Sequence, residues 1–177
     1  LQGLTDPTID LNMGVTAENV AEMFHIGRET MDQFAADSHA RAIEAQKTNA
    51  LANEIVAIYG KNGKVYDQDT GVRQDSTFEK LSRLKPAFER PYGQVTPGNS
   101  SQITDGAVVL MFASEQAIKE HSLVPISRVC DITWAGLEPK VMGLGPVHSI
   151  AKILTNNKLD ISDIINKRSK KTVEWIQ

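Results

Sequence analysis

From Pro91 to Ala107 the chain is rich in small and polar residues, among them Gly93, Thr96, Gly98, Ser100, Ser101, Thr104 and Gly106. It then runs directly into an apolar segment, Val108–Ala113. A loop of this kind lets backbone approach a ligand closely, and its N–H groups and hydroxyls bind polar ligand atoms. It also divides the sequence. Up to about residue 100 the pattern is polar and reads as helices and a hairpin. Beyond it the pattern runs strand, helix, strand, helix. The expected fold is therefore mixed α/β: a helix-and-hairpin region at 1–100, a strand–helix–strand–helix layer at 101–165, and a basic tail at 166–177.

Local signals fill in this outline. Thr16–Phe24 reads as a short helix, with Val20, Met23 and Phe24 at helical spacing. Arg28–Lys47 is the clearest helix. Met31, Phe34, Ala35, Ser38 and Ala42 make its narrow face, and Gly27 stands at its N-cap. Glu54–Tyr59 and Lys64–Tyr66 flank Asn62–Gly63, a strong hairpin signal. Ser76–Glu79 has capping-box spacing and predicts a helix through Leu84, which Pro86 ends. Val108–Ala113 and Ile126–Trp134 are predicted as neighbouring sheet strands. The second of these puts Ile126, Cys130, Ile132 and Trp134 on one face. Ser114 is placed to cap a helix through His121. Gly143–Pro146 opens another helix, running to about Asn156.

Several function classes lose support at once. No apolar run reaches the length of a membrane span, and Leu1–Leu4 lack the basic start and long apolar core of a signal peptide. The net charge of −3 is uneven, with +3 on Asn166–Gln177 and −6 on the rest, so nucleic-acid binding has little electrostatic basis. A single cysteine, Cys130, excludes an intrachain disulfide framework and a multi-cysteine metal site. It suits a reducing compartment, so the cytoplasm is expected, with the mitochondrial matrix as the alternative. Cys130 lies mid-strand on an apolar face and reads as a buried structural thiol. A nucleophile would need a base or a helix N-terminus beside it. His25, His39, His121 and His148 have no ligand spacing, so no metal is expected. Asp67 and Asp69 read as a solvated turn. Gly143–Leu144–Gly145 starts a nucleotide-binding glycine pattern, but His148 stands at its third glycine. Arg73, Lys80, Arg83, Lys85 and Arg90 form a basic stretch beside the Gly/Ser loop. Such charges suit either a solvated face or a phosphorylated ligand.

Several segments taken in order are more specific. Gly3–Pro7, followed by Met13–Ala21, resembles the start of the thiolase loop domain. Met31–His39 resembles that domain's long helix. Leu84–Phe88 precedes the Gly/Ser loop at the usual distance, and the loop itself resembles the thiolase signature. Glu138–Val147 resembles a helix-opening segment of the C-terminal half. Order and spacing hold from residue 3 to about residue 164. The resemblance implies a thiolase-like but incomplete fold: a CoA-covering loop-domain region at 1–100 and a partial C-terminal α/β region at 101–165. It implies acyl transfer on 3-ketoacyl-CoA or acetyl-CoA, of the fatty-acid β-oxidation type. Coenzyme A or acyl-CoA would be a substrate ligand, with no prosthetic group.

By position, the resemblance implies that Arg73 faces the adenine and phosphate end of CoA and that Lys80 adds a phosphate contact. Phe88 would line the pantetheine channel, and Ser101 would hydrogen-bond a pantetheine amide. Pro97 stands where many members have a small residue. Asn12 stands where some have a histidine near CoA. The family's nucleophilic cysteine, its second cysteine and histidine, and its Asn-Glu-Ala-Phe-Ala motif find no match here. The likeness ends at Ser162–Ile164, and the tail resembles nothing in the family. No catalytic residue is therefore assigned, and this chain alone is expected to be inactive. A non-enzymatic CoA-binding or interaction module and an inactive truncated remnant are the alternatives. A partial sheet would expose edges, so a homo-oligomer or the remaining thiolase segments are expected as partners.

Overall fold

The computed structural model describes residues 2–166, so the basic tail from 167 onward lies outside the described residues. The chain forms two compact units: Leu1–Gly106 with Pro139–Val141, and Ala107–Glu138 with Met142–Gln177.

The first unit opens with a small antiparallel hairpin, β1 (Thr5–Asp6) and β2 (Leu11–Asn12), in register Thr5↔Asn12 and Asp6↔Leu11. Asp6 Oδ1 accepts the Thr8 N–H at 2.7 Å and the Thr8 hydroxyl at 2.6 Å, which shapes the turn. Asn12 then caps helix α1 (Met13–Met23), its Oδ1 accepting the Gly14 N–H at 2.9 Å. The helix thus starts at Met13 rather than Thr16, because Asn12 satisfies an otherwise orphaned first-turn donor. Thr16 is buried inside the helix, its hydroxyl on the Met13 carbonyl at 2.8 Å.

Helix α2 (Arg28–Lys47) has the predicted bounds, and Gly27 caps it without a side-chain hydrogen bond. Its face is turned from the predicted one. Phe34 is 70% exposed and Ser38 is exposed, while Asp32 is fully buried. The less exposed positions, Arg28, Met31, Asp32, Ala35, His39 and Ala42, recur at helical spacing. Polar partners of Asp32, described below, hold this face inward and leave Phe34 in solvent.

The predicted hairpin is present but short: β3 (Ile58–Tyr59) pairs antiparallel with β4 (Val65–Tyr66). Asn62 and Gly63 have φ of 68° and 74°, the left-handed region that makes Asn-Gly a turn signal. The capping-box helix shrinks to one turn, α3 (Phe78–Leu81), and its cap is Thr77 rather than Ser76. Its axis continues only as turns, with the Leu84 N–H on the Leu81 carbonyl at 3.0 Å. The buried apolar residues are Ala21, Leu81, Val95 and Val141, and Thr16, Glu18, Asp32 and Thr96 are buried with them. Val141 joins this unit beside a hydrogen bond from Asn19 Nδ2 to the Lys140 carbonyl, 2.9 Å long.

In the second unit, α4 (Glu115–Glu120) starts where expected, with Ser114 Oγ accepting the Ala117 N–H at 3.2 Å. Helix α5 (Gly145–Asn157) has Pro in its first turn and ends on Lys158 at φ 52°. Helix α6 (Ile161–Asn166) follows, with Asp160 Oδ1 accepting the Ser162 N–H at 2.9 Å. The two predicted strands are not formed: Val108–Ala113 and Ile126–Trp134 belong to no ladder among the described residues. Val109 is 93% and Ile126 86% exposed. Apolar content specifies a strand only where a neighbour supplies the other half of the ladder. Cys130, expected in the core, is exposed for the same reason. No described side chain of this unit is buried. Side-chain bonds fasten 131–134 along α5: Thr133 Oγ1 to the Ser149 carbonyl at 2.9 Å, Lys152 Nζ to the Trp134 carbonyl at 3.1 Å, and Asn157 Nδ2 to Asp131 Oδ2 at 2.7 Å. Among the described residues, no helix is long and apolar enough to cross a membrane.

Candidate functional site

The Gly/Ser loop is held from beneath by two buried carboxylates that sequence reasoning did not single out. Glu18, on α1, accepts the Gln94 N–H with both oxygens at 2.9 Å and the Val95 N–H at 2.8 Å. Asp32, on α2, accepts from Arg28 Nε at 2.6 Å and from Asn99 Nδ2 at 3.0 Å. Arg28 then reaches the carbonyls of Leu81 and Leu84 at 2.7 and 2.9 Å, which ties α3 to the same anchor. Within the loop, Asn99 Oδ1 accepts the Thr96 N–H at 2.7 Å and its Nδ2 also donates to the Gln94 carbonyl at 3.0 Å. Thr96 Oγ1 accepts the N–H groups of Gly98 and Asn99, and Ser100 Oγ donates to the Thr96 carbonyl at 2.7 Å. The buried side-chain polar atoms among the described residues all find partners. A network of this kind fixes one loop conformation.

Close approach explains one glycine of the loop. A Cβ on Gly98 would come within 2.6 Å of Leu81 Cδ2 and as close to Leu84 Cδ1, so the loop lies directly on α3 and its following turn.

Beside the loop lies a cleft of about 570 Å³. Its walls include Arg73, Asp75, Lys80 and His39, with Pro97, Gly98, Ser100 and Gln102 from the loop. A second hollow, near Gln46 and Asp69, is about 80 Å³ and too small for a cofactor-sized ligand. The larger of these two clefts carries two cations, Arg73 and Lys80. His39 Nδ1 accepts the backbone N–H of Arg73 at 3.3 Å, which positions the Arg73 segment. Lys80 Nζ meets Asp75 Oδ2 at 3.0 Å. That hydrogen bond, and then the lysine charge, hold the Asp75 carboxyl below its ordinary value of 3.8, with a smaller contribution from Arg73.

The structure brings three of the sequence-derived residues, Arg73, Lys80 and Pro97, into this cleft. Ser101 is exposed between two cleft residues, its hydroxyl donating to the Gln102 carbonyl at 3.2 Å. Phe88 lies elsewhere. Its ring packs on Gly14 at the start of α1, so closely that a Cβ on Gly14 would fall into the ring. Asn12 is spent on capping that same turn. Cys130 donates to the Arg128 carbonyl at 3.6 Å. Among the described residues no cluster of His, Cys, Asp and Glu is placed to hold a metal ion.

One signal could have found Asp32. It stands four residues after Arg28 on the same helix, a spacing that pairs opposite charges, and it sits between Met31 and Ala35 on the inward face. Glu18 has no such signal.

The family model for the thiolase N-terminal domain matches residues 1–116. The chain belongs to the thiolase family. A probable acetyl-CoA acyltransferase of Staphylococcus aureus (strain COL) is 41% identical over 166 residues, 92% of this chain and 42% of that protein. An acetyl-CoA acetyltransferase of Bacillus anthracis superposes with a TM-score of 0.87 at 39% identity, over 92% of this chain and 42% of its own. Human mitochondrial 3-ketoacyl-CoA thiolase, solved in complex with CoA, gives 0.87 at 35% identity, over 92% of this chain and 40% of its own. The chain therefore has a thiolase-like fold and spans about 42% of the relatives it matches.

Proposed function

We propose that this chain supplies the CoA-covering part of a thiolase-type acyltransferase acting on 3-ketoacyl-CoA or acetyl-CoA, of the β-oxidation type. Residues 1–100 act as the loop-domain region and 101–165 as a partial α/β region. The observation that carries the reading is the cleft beside the anchored Gly/Ser loop, where Arg73 and Lys80 face small loop residues. Guanidinium and ammonium groups beside rigid backbone suit the phosphates of a nucleotide. In this reading Arg73 meets the adenine and phosphate end, Lys80 adds a phosphate contact, and Pro97 forms the wall between. Ser101 hydrogen-bonds a pantetheine amide, and Phe88 borders the pantetheine further on. The human relative crystallised with CoA supports the ligand class. The acyl-transfer nucleophile is not assigned to this chain.

Calorimetry with CoA tests the reading. Wild type should bind weakly, and the Arg73→Ala and Ser101→Ala variants more weakly by about fivefold, the worth of a lost hydrogen bond or charge contact. If both variants bind as wild type does, or if wild type shows no binding at millimolar CoA, the assignment fails. The inactive-remnant reading would then gain.

A further inference from the structure

The Lys80–Asp75 pair is the one contact in the cleft where a protein anion already sits on a cation that a ligand would use. Both side chains are mostly exposed, 59% and 64%, so the pair is held by one hydrogen bond and is cheap to open. Arg73 lines the same cleft and acts on Asp75 through its charge. We propose that Asp75 is a built-in competitor, holding Lys80 until a phosphate monoester dianion replaces its carboxylate, with Arg73 as the second cation. The inference rests on the CoA reading, in which the monoester is the 3′-phosphate on the ribose.

The charge balance selects the ligand. Arg73, Lys80 and Asp75 together carry one net positive charge. Displacement leaves the Asp75 carboxylate unpaired with either ligand. Against the net positive charge a dianion gains about twice the Coulomb energy of a monoanion, and it meets Lys80 and Arg73 together. Three oxygens on the phosphorus also reach more donors than a carboxylate can, and Thr70 and Ser76 are among the residues lining the same cleft. Displacing Asp75 works against the hydrogen bond that holds its carboxyl below the ordinary range.

The test compares CoA, dephospho-CoA and adenosine 3′,5′-bisphosphate by calorimetry on the full chain, as wild type, Asp75→Asn and Lys80→Gln. CoA and the bisphosphate should bind wild type about threefold better than dephospho-CoA, as an exposed charge contact allows. Asp75→Asn should widen that gap, and Lys80→Gln should close it. If CoA binds but the gap is unchanged in Asp75→Asn, the competitor role is wrong and the CoA reading stands. If only the bisphosphate binds, with the expected response to Asp75→Asn, the phosphate site stands and the CoA reading falls. If none of the three binds, both fall.

Discussion

Asp32 is the side chain on which most of the loop geometry converges. It is fully buried, paired with Arg28 and bonded to Asn99, so its removal leaves a guanidinium only 22% exposed without its anion. Breaking such a pair from one side costs about 3 kcal/mol. Asp32→Ala should therefore lower stability by about that amount in urea unfolding. It should weaken CoA binding as well, although its hydrogen-bond partners Arg28 and Asn99 do not line the cleft. A variant as stable as wild type would show that the loop holds itself. Gly14 makes a second case. Its missing Cβ is the space that Phe88 occupies. Gly14→Ala should move that ring and leave Arg73 and Lys80 undisturbed. Affinity for pantetheine-bearing ligands should fall, while that for adenosine 3′,5′-bisphosphate should hold. At this scale the sequence made the loop legible but not its anchors. Glu18 and Asp32 look like ordinary helix charges until tertiary hydrogen bonds pull them inward. Phe34 shows the converse, an aromatic that periodicity put on the inner face and the fold left in solvent.

Helices were read well, because their starts are written locally. Ser114 caps α4, and Gly27 and Lys47 border α2, as short-range patterns foretold. Asn12 and Thr77 displaced the expected starts of α1 and α3 by the same capping chemistry, one good side-chain acceptor outcompeting another nearby. Strands were read poorly, since a ladder is made with residues distant in sequence. Val108–Ala113 has the composition of a strand and no partner among the described residues. The one hairpin read correctly carries its pairing in its own turn, at Asn62–Gly63. Acid tests the α3 region. Glu79 is held below 4.5 by the backbone N–H at its own position and then by Thr77, and Asp75 is held below 3.8 by Lys80. Each carboxyl is more acidic folded than unfolded. Its contribution is thus full above the ordinary value and disappears as pH falls through the lowered one. NMR titration should place the Asp75 midpoint below 3.8 and return it upward in Lys80→Gln. An unmoved midpoint would mean the pair does not persist in solution. High salt should weaken the same pair.

For the whole molecule, the two units differ in how much of themselves they cover. The first has a small core, half of it polar, around an anchored loop. The second has no buried side chain among its described residues and exposes Val108, Phe112, Ile126 and Trp134, each by more than three quarters. Apolar surface of that kind marks an interaction face. The chain alone should self-associate, with light scattering above the monomer mass of 19.4 kDa; a strict monomer at high concentration would contradict this. Activity is a separate question. Acyl transfer through a thioester needs a thiolate with a base or positive environment to hold it. Cys130 is the single cysteine in the sequence. It lies exposed on an unpaired segment with its Sγ donating to a backbone carbonyl, in the unit that does not contain the Arg73–Lys80 cleft. The proposed CoA cleft and the thiol therefore belong to different units of the chain, and binding should survive where turnover does not. The purified 177-residue chain should bind CoA yet leave acetoacetyl-CoA uncleaved, with Cys130→Ser changing neither result. Thiolysis by wild type that vanishes in Cys130→Ser would overturn this and make Cys130 the nucleophile.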